Sequence, residues 1–155
     1  MKDVLVRRAN SDDVERLVEF NRAMALETED KILDRAVLHP GVTRVLAEPH
    51  RGFYLVAECD GGVCGCLMIT FEWSDWRNGD WWWLQSVYIE PAFRRRGVFR
   101  ALHAQVENAA RATSDVVGLR LYVERENRRA QQTYASLGMH EAAYSMWETE
   151  YPRPP

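Results

Sequence analysis

Four consecutive residues carry the densest chemistry in the chain: Arg94, Arg95, Arg96 and Gly97. Three guanidinium groups beside a glycine, directly before an amphipathic stretch, have the makings of an anion site. Guanidinium forks match phosphate oxygens, and a glycine lets backbone approach a ligand with no side chain in the way. A helix start adds unpaired N–H groups and the positive end of the helix dipole. The N–H groups of Arg95, Arg96, Gly97, Val98, Phe99 and Arg100 are therefore expected to form a nest for a pyrophosphate. Two familiar nucleotide loops are excluded. The Gly-Lys-Ser/Thr ending of a nucleoside-triphosphate loop is absent, and so are the second and third glycines of a dinucleotide fingerprint.

Two further groupings could do chemistry. Asn127 and Tyr134 are seven residues apart, so on a helix they share one face, with the small Ala130 between them. The stretch 71–80 is rich in tryptophan and carboxylate, which suits a cationic amine through cation–π and ion-pair contacts. Glu72, Trp73, Asp75 and Trp76 are its candidate contacts, and it is expected to face the strand end where chemistry occurs. Glu27, Glu29 and Asp30 add acidic character after the first helix. Cys59, Cys64 and Cys66 are expected to be reduced core thiols, since their number and spacing do not make a metal site.

These residues need elements to hold them. Residues 81–89 are apolar, aromatic and β-branched, with no glycine or proline, and predict a buried strand ended by Pro91. Residues 97–111 predict a helix with Val98, Leu102, Val106 and Ala109 inward. Upstream, the pattern predicts a strand at 4–8 and a helix at 12–27 capped by Asn10-Ser11-Asp12-Asp13. A helical turn should stop before Pro40, and a second short helix should cover 41–47. Strands follow at 53–59 and 63–73 around an Asp60-Gly61-Gly62 turn. Downstream, strands are expected at 118–124 and 139–150, flanking a helix at 127–137 that ends on Gly138. This order defines an α/β (α+β) domain whose mixed, mostly antiparallel sheet is flanked by helices, with one right-handed parallel crossover from 81–89 to 118–124.

The 155 residues fit one domain over 1–150, with 151–155 as a loose tail. Of 20 basic residues, all but Lys2 and Lys31 are arginine, yet the net charge is −3, which argues against a nucleic-acid partner. No apolar run approaches the roughly 20 residues that span a bilayer, and the first residues lack a signal-peptide core. A cytoplasmic protein with no membrane partner is expected.

The chain resembles the GCN5-related N-acetyltransferase (GNAT) superfamily. The resemblance covers about residues 4–150 and is most specific over 84–138. Val87-Tyr88-Ile89-Glu90-Pro91 is similar to that family's strand ending, and Arg94-Arg95-Arg96-Gly97-Val98-Phe99 to its phosphate turn. The segment from Asn127 to Gly138 fits the family's Asn-x-x-Ala-x-x-x-Tyr-x-x-x-Gly helix throughout. The resemblance implies acetyl-CoA as donor and a primary amine as acceptor. It implies that Arg94 and backbone amides of Arg95 to Arg100 hold the pyrophosphate, and that main-chain groups near Val87 and Ile89 hold the pantetheine arm. It further implies that Asn127 orders the arm and that Tyr134 protonates the leaving thiolate. The family's second small residue of the turn is Phe99 here, whose ring must then point away from the phosphates. A carboxylate base on the central strand is also missing, where Trp83, Gln85 and Ser86 stand instead. Glu72 on the neighbouring strand is the candidate to anchor a proton-carrying water, and Gln85 joins the candidate acceptor contacts.

The leading expectation is therefore an acetyl-CoA-dependent N-acetyltransferase for a small-molecule amine, with a homodimer as a further expectation. A protein N-terminal or lysine acetyltransferase and a catalytically silent acyl-CoA-binding sensor are the alternatives.

Overall fold

A computed structural model describes residues 4–153, which divide into two units, one ending at Leu121 and the other beginning at Tyr122. The first unit is built on a five-stranded sheet in the order β1-β2-β3-β4-β5. Its strands are β1 (Leu5–Arg8), β2 (Gly52–Cys59), β3 (Gly62–Ser74), β4 (Gly79–Ile89) and β5 (Val116–Arg120). The first three pairings are antiparallel, and β5 joins β4 in parallel. Helices α1 (Val14–Glu29) and α2 (Arg35–Ala47) connect β1 to β2, and α3 (Val98–Arg111) makes the crossover from β4 to β5.

Alternation along the strands splits the core in two. Phe53, Leu55, Leu67, Ile69, Trp82 and Leu84 pack with Val98, Leu102 and Val106 of α3. Tyr54, Val56, Cys66 and Tyr88 pack with Leu17, Val18 and Phe20 of α1 and Val42 of α2. With both faces covered, each fully buried aliphatic side chain contributes about 1.5–3 kcal/mol. The same alternation assigns the triple tryptophan. Trp82 is only 7% exposed and meets Phe53 edge-on at 5.3 Å. Trp81 and Trp83 stand on the opposite face, where Trp81 lies against Gly118: a Cβ there would come within 2.5 Å of its ring.

The start of α1 follows its sequence signature. Asn10 accepts the Asp12 N–H at 2.9 Å, and the Asp13 carboxylate accepts the Asn10 N–H at 2.8 Å. Asp13 is buried and also accepts from both terminal nitrogens of Arg7, at 2.8 and 3.0 Å.

Several expectations change. One helix, α2, runs through Pro40 where a break was expected. Asp34 caps it by accepting the Ala36 N–H, and Leu38, Val42, Val45 and Leu46 anchor it to the core, which outweighs the hydrogen bond that Pro40 lacks. Cys59 and Cys64 form a disulfide across the β2–β3 hairpin, with Cα atoms 5.8 Å apart, and only Cys66 is a free, buried thiol. The strand expected at 118–124 is shifted to Val116–Arg120.

The second unit contains α4 (Arg128–Ser136). Asn127 caps it, accepting the Ala130 N–H at 3.1 Å. Gly138 closes it at φ 85°, in the left-handed region, with the Met139 N–H donating to the Tyr134 carbonyl. The strand expected at 139–150 is not formed: these residues belong to no ladder, and nearly all are exposed.

Candidate functional site

The site begins with an opening in the sheet. β4 is bonded to β5 only from Asp80 to Trp83, and the ladder ends at the Trp83–Arg120 pair. From Leu84 to Ile89, β4 has no strand on that side among the described residues. Its free main-chain groups can therefore pair with an extended, amide-bearing ligand as with a peptide. On the other side, β4 carries a bulge. Cys66 pairs with Tyr88 and Met68 with Gln85, so Ser86 and Val87 together oppose Leu67. Ser86 takes φ 49° to make this possible. The bulge turns Tyr88 toward α1, and Val87 and Ile89 toward the α3 core.

The chain then passes a short 3-10 turn, Pro91–Phe93, and reaches the arginines. Arg95 at φ 64° and Gly97 at φ 83° are both left-handed, the backbone habit of an anion nest. A Cβ at Gly97 would meet nothing within 4 Å, so the space beside it is open. α3 has no side-chain cap, and its first bond runs from the Ala101 N–H to the Gly97 carbonyl at 3.0 Å. The amides of Val98 and Arg100, ahead of that first bond, thus have no intrahelical partner. Phe99 is expected to point inward and does: it packs against the α3 core and lies 6.0 Å from His103.

The three arginines differ in role. Arg94 is a clamp: its Nε donates to the Ile89 carbonyl at 2.8 Å, and its Nη2 to Glu27 at 2.6 Å. Arg96 faces Asp60 of the β2–β3 turn at 3.6 Å and lies over Phe93. Arg95 and Arg100 are exposed beside the nest.

Glu27 also accepts from the Tyr88 hydroxyl at 3.1 Å, which ties the end of α1 to the strand beyond the bulge. Burial, and then the neighbouring Glu27, raise the Tyr88 pKa, so its phenol stays a donor. Gln85 donates to Thr70 at 2.5 Å on the same face as Trp83. Glu72 accepts twice from Arg120, at 2.9 and 3.0 Å, and from the Trp83 indole at 3.4 Å. The Arg120 guanidinium lies over the Trp81 ring at 4.0 Å.

The structure thus brings Glu27, Tyr88, Ile89 and Arg94 together, and gathers Glu72, Trp81, Trp83 and Arg120 in a second group. Trp73, Asp75 and Trp76 lie elsewhere. They occupy the exposed β3–β4 hairpin, at the end of β4 opposite the arginines; Trp73 pairs with Asp80. That register puts them about 17 Å before Gln85 along the strand, at ~3.3 Å per residue, rather than at the strand end that leads to the turn.

In the second unit, Asn127 and Tyr134 stand two turns apart on α4 as expected, and the Asn127 carboxamide oxygen is engaged as the helix cap. Tyr134 is half-buried, and burial raises its pKa. Gln131 adds a tie the motif did not suggest, donating to the Glu124 and Arg125 carbonyls at 3.1 and 2.9 Å.

Sequence reading missed Tyr88, Thr70 and Arg120. The alternation of Arg120 with Leu119 and Leu121 was the available signal for the last, since it put a cation on one face of a predicted strand.

An open strand edge running into an uncapped helix start beside a left-handed, arginine-rich turn defines an acyl-CoA-type transferase fold. The comparisons agree: residues 15–139 match the Acetyltransferase (GNAT) family, and the chain belongs to that family. It is similar to a possible acetyltransferase from Clostridium difficile 630, at 42% identity and a TM-score of 0.90, over 97% of this chain and 99% of that one. Two more distant structures share the fold. A predicted acetyltransferase with acetyl-CoA from Clostridium acetobutylicum is 17% identical at a TM-score of 0.78, over 95% of this chain and 96% of that one. AAC(6')-Iy, in complex with a bisubstrate analogue of CoA and monomethyl-acetylneamine, is 18% identical at a TM-score of 0.75, over 97% of this chain and all of that one. No curated protein matches the chain. Among the described residues, no helix is long and apolar enough to cross a membrane.

Proposed function

We propose that this chain transfers the acetyl group of acetyl-CoA to a primary amine of a small molecule, working as a single N-acetyltransferase domain. The observation that carries this reading is the free edge of β4 from Leu84 to Ile89, continuous with the uncapped start of α3. The residues fit the donor. Main-chain groups of Val87 and Ile89 suit the two amides of a pantetheine arm. The amides of Arg95 to Arg100, open at Gly97, suit a pyrophosphate, with Arg94 holding the turn in place. The donor supplies an activated thioester.

The chain's own groups do the rest. The amine nitrogen attacks the acetyl carbon, the carbon–sulfur bond breaks, and the sulfur takes the proton of the Tyr134 hydroxyl. Asn127 fixes the start of the helix that carries this phenol. Glu27, Gln85 and Glu72 provide the acceptor side, where the amine proton leaves through water anchored at Glu72. Phe99 packs inward and so leaves the nest accessible to the donor, and the presence of Asn127 and Tyr134 favours an enzyme over a silent binding module.

The test is release of free CoA thiol from acetyl-CoA across a panel of small amines, together with melting curves. Acetyl-CoA at a hundred times its Kd should add about 2.7 kcal/mol of stability. Absence of any melting shift at millimolar acetyl-CoA overturns the donor assignment. A shift without thiol release on any amine would favour the sensor.

A further inference from the structure

Tryptophan and carboxylate together suit a cationic amine, but on this sheet the chain's own cations occupy both. The Trp81 ring lies 4.0 Å from the Arg120 guanidinium and 5.1 Å from that of Arg77. The Glu72 carboxylate accepts two bonds from Arg120 and one from the Trp83 indole. Two guanidinium groups therefore stand against one carboxylate around this ring. A further ammonium brought here meets an excess of positive charge, whereas an anion is attracted.

Arg120 is held in place without being used up. Both of its bonds to Glu72 come from Nη1, Trp81 fixes one face, and Nε and Nη2 make no hydrogen bond to the described residues. Its side chain remains 30% exposed. A planar cation anchored at one nitrogen and one face, with its other edge unbonded, is preorganised for a carboxylate, which accepts two parallel N–H bonds. The position also fits. Arg120 pairs with Trp83 at the end of the β4–β5 ladder, where the two strands part. A donor held at the nest and running back along the free edge from Ile89 to Leu84 brings its thioester to this place. Gln85, the next residue after Trp83 on the same face, donates from its carboxamide nitrogen to Thr70. Its oxygen has no partner among the described residues and can accept from an amine.

We propose, resting on the transferase reading above, that the acceptor carries a carboxylate beside its amine, as an amino acid or a small amino-acid derivative does, and that Arg120 binds this carboxylate through Nε and Nη2. Glu72 and Trp81 are then positioning residues: they aim the guanidinium and leave its second edge to the acceptor. Gln85 takes the amine end. Polyamines and other acceptors that are cationic throughout are disfavoured by the same balance of charge.

Thiol release from acetyl-CoA tests this on matched acceptors: a set of amino acids, each beside its carboxamide and its decarboxylated amine, with a polyamine added. Wild-type kcat/KM should be about 10–100-fold higher for the best amino acid than for its carboxamide, the loss expected when a charge-assisted hydrogen bond is removed. That order runs against intrinsic reactivity, since the less basic amine of the carboxamide is more often neutral. Arg120→Gln should lower the amino-acid value until the two lie within about twofold, with KM for acetyl-CoA unchanged. A wild type that prefers carboxamides or polyamines overturns the proposal. So does an Arg120→Gln variant that loses activity on both acceptors equally, which would give Arg120 a structural role alone. Thiol release on polyamines but on no amino acid overturns the acceptor class and leaves the transferase reading standing. Release on none of the acceptors overturns both. If Arg120→Gln fails to fold, the wild-type ratios decide alone.

Discussion

Arg94 joins Glu27 across 67 positions of sequence, with 2.6 Å between Nη2 and Oε2, while its Nε holds the Ile89 carbonyl. This one side chain fixes the last residue of β4, the turn before α3 and the end of α1. Both partners are substantially exposed, so the pair adds little to stability, on the order of 0–1 kcal/mol. Its effect should fall on donor binding. Arg94→Ala is expected to raise KM for acetyl-CoA about tenfold with kcat within about twofold, and to lower Tm by only about 3 °C or less. A fall in kcat at unchanged KM would place the clamp on the acceptor side instead.

Tyr134→Phe removes the proposed proton donor and keeps the ring. On a good acceptor, kcat should fall by about 10²–10⁴, with little change in the melting shift produced by acetyl-CoA. Because burial raises the phenol pKa, the acid form persists through neutral pH, and activity is lost only as pH climbs through that raised value. The alkaline limb of the kcat profile should therefore vanish in Tyr134→Phe. A variant with wild-type kcat removes Tyr134 from the mechanism.

Gly118 is occupied from outside by the Trp81 ring, which Arg120 and Arg77 approach at 4.0 and 5.1 Å. Gly118→Ala puts a methyl 2.5 Å from that ring, and urea titration should show a loss of about 1–3 kcal/mol. The displaced Trp81 should also disturb the Arg120–Glu72 pair, so the variant should lose acceptor affinity more than donor affinity. Equal stability in the variant would mean that the ring moves freely.

Asp13 gives the fold an acid limit. Burial alone would raise its pKa, but the hydrogen bonds from Arg7 and the Asn10 amide overcome that and hold it below the ordinary carboxylate range. A lowered folded-state pKa stabilises the protein above the unfolded value, near pH ~4, and the gain is lost as pH falls through the folded value. Asp13→Asn should therefore cost about 1–3 kcal/mol at neutral pH, and the two proteins should converge in acid. A gap that stays constant with pH would show that the carboxylate charge is not what matters.

Thiol counting checks the hairpin. Burial pushes the Cys66 thiol up to about 12, and its side chain is inaccessible. Native protein should give no prompt reaction with a disulfide reagent. In denaturant, one thiol per chain should appear without reductant and three after reduction, matching one Cys59–Cys64 bond. Three thiols without reductant would rule the bond out.

The parts of this molecule that could be read from sequence are those set by neighbouring residues. The Asn10 to Asp13 cap, the Asp60-Gly61 turn, the start of α3 at Gly97 and the Gly138 stop are local devices, and each stands within a residue or two of its expected place. The parts that could not be read depend on distant partners. Pro40 sits inside α2 because Val42 and Leu46 are held by a core that includes β2 and β4. Arg120 becomes a site residue only through Glu72, 48 positions earlier. Trp73 and Trp76 were placed by composition, but the β3–β4 register carries them to the far end of β4. For 139–150, the residue types suited a strand, but composition alone does not make a ladder, and these residues form none.

The bulge at Ser86 acts on side chains as a frameshift acts on codons. Before it, the even-numbered residues Trp82 and Leu84 face α3; after it, the odd-numbered Val87 and Ile89 do. If Ser86 lost its left-handed conformation and paired as an ordinary ladder residue, the earlier phase would continue and exchange the faces of every later residue of β4, sending Tyr88 away from Glu27 and Val87 away from the α3 core. Deleting Ser86 would close the bulge and leave the later side chains on their present faces, whereas Ser86→Val keeps the length but resists φ 49° and should be among the least tolerated changes in the strand.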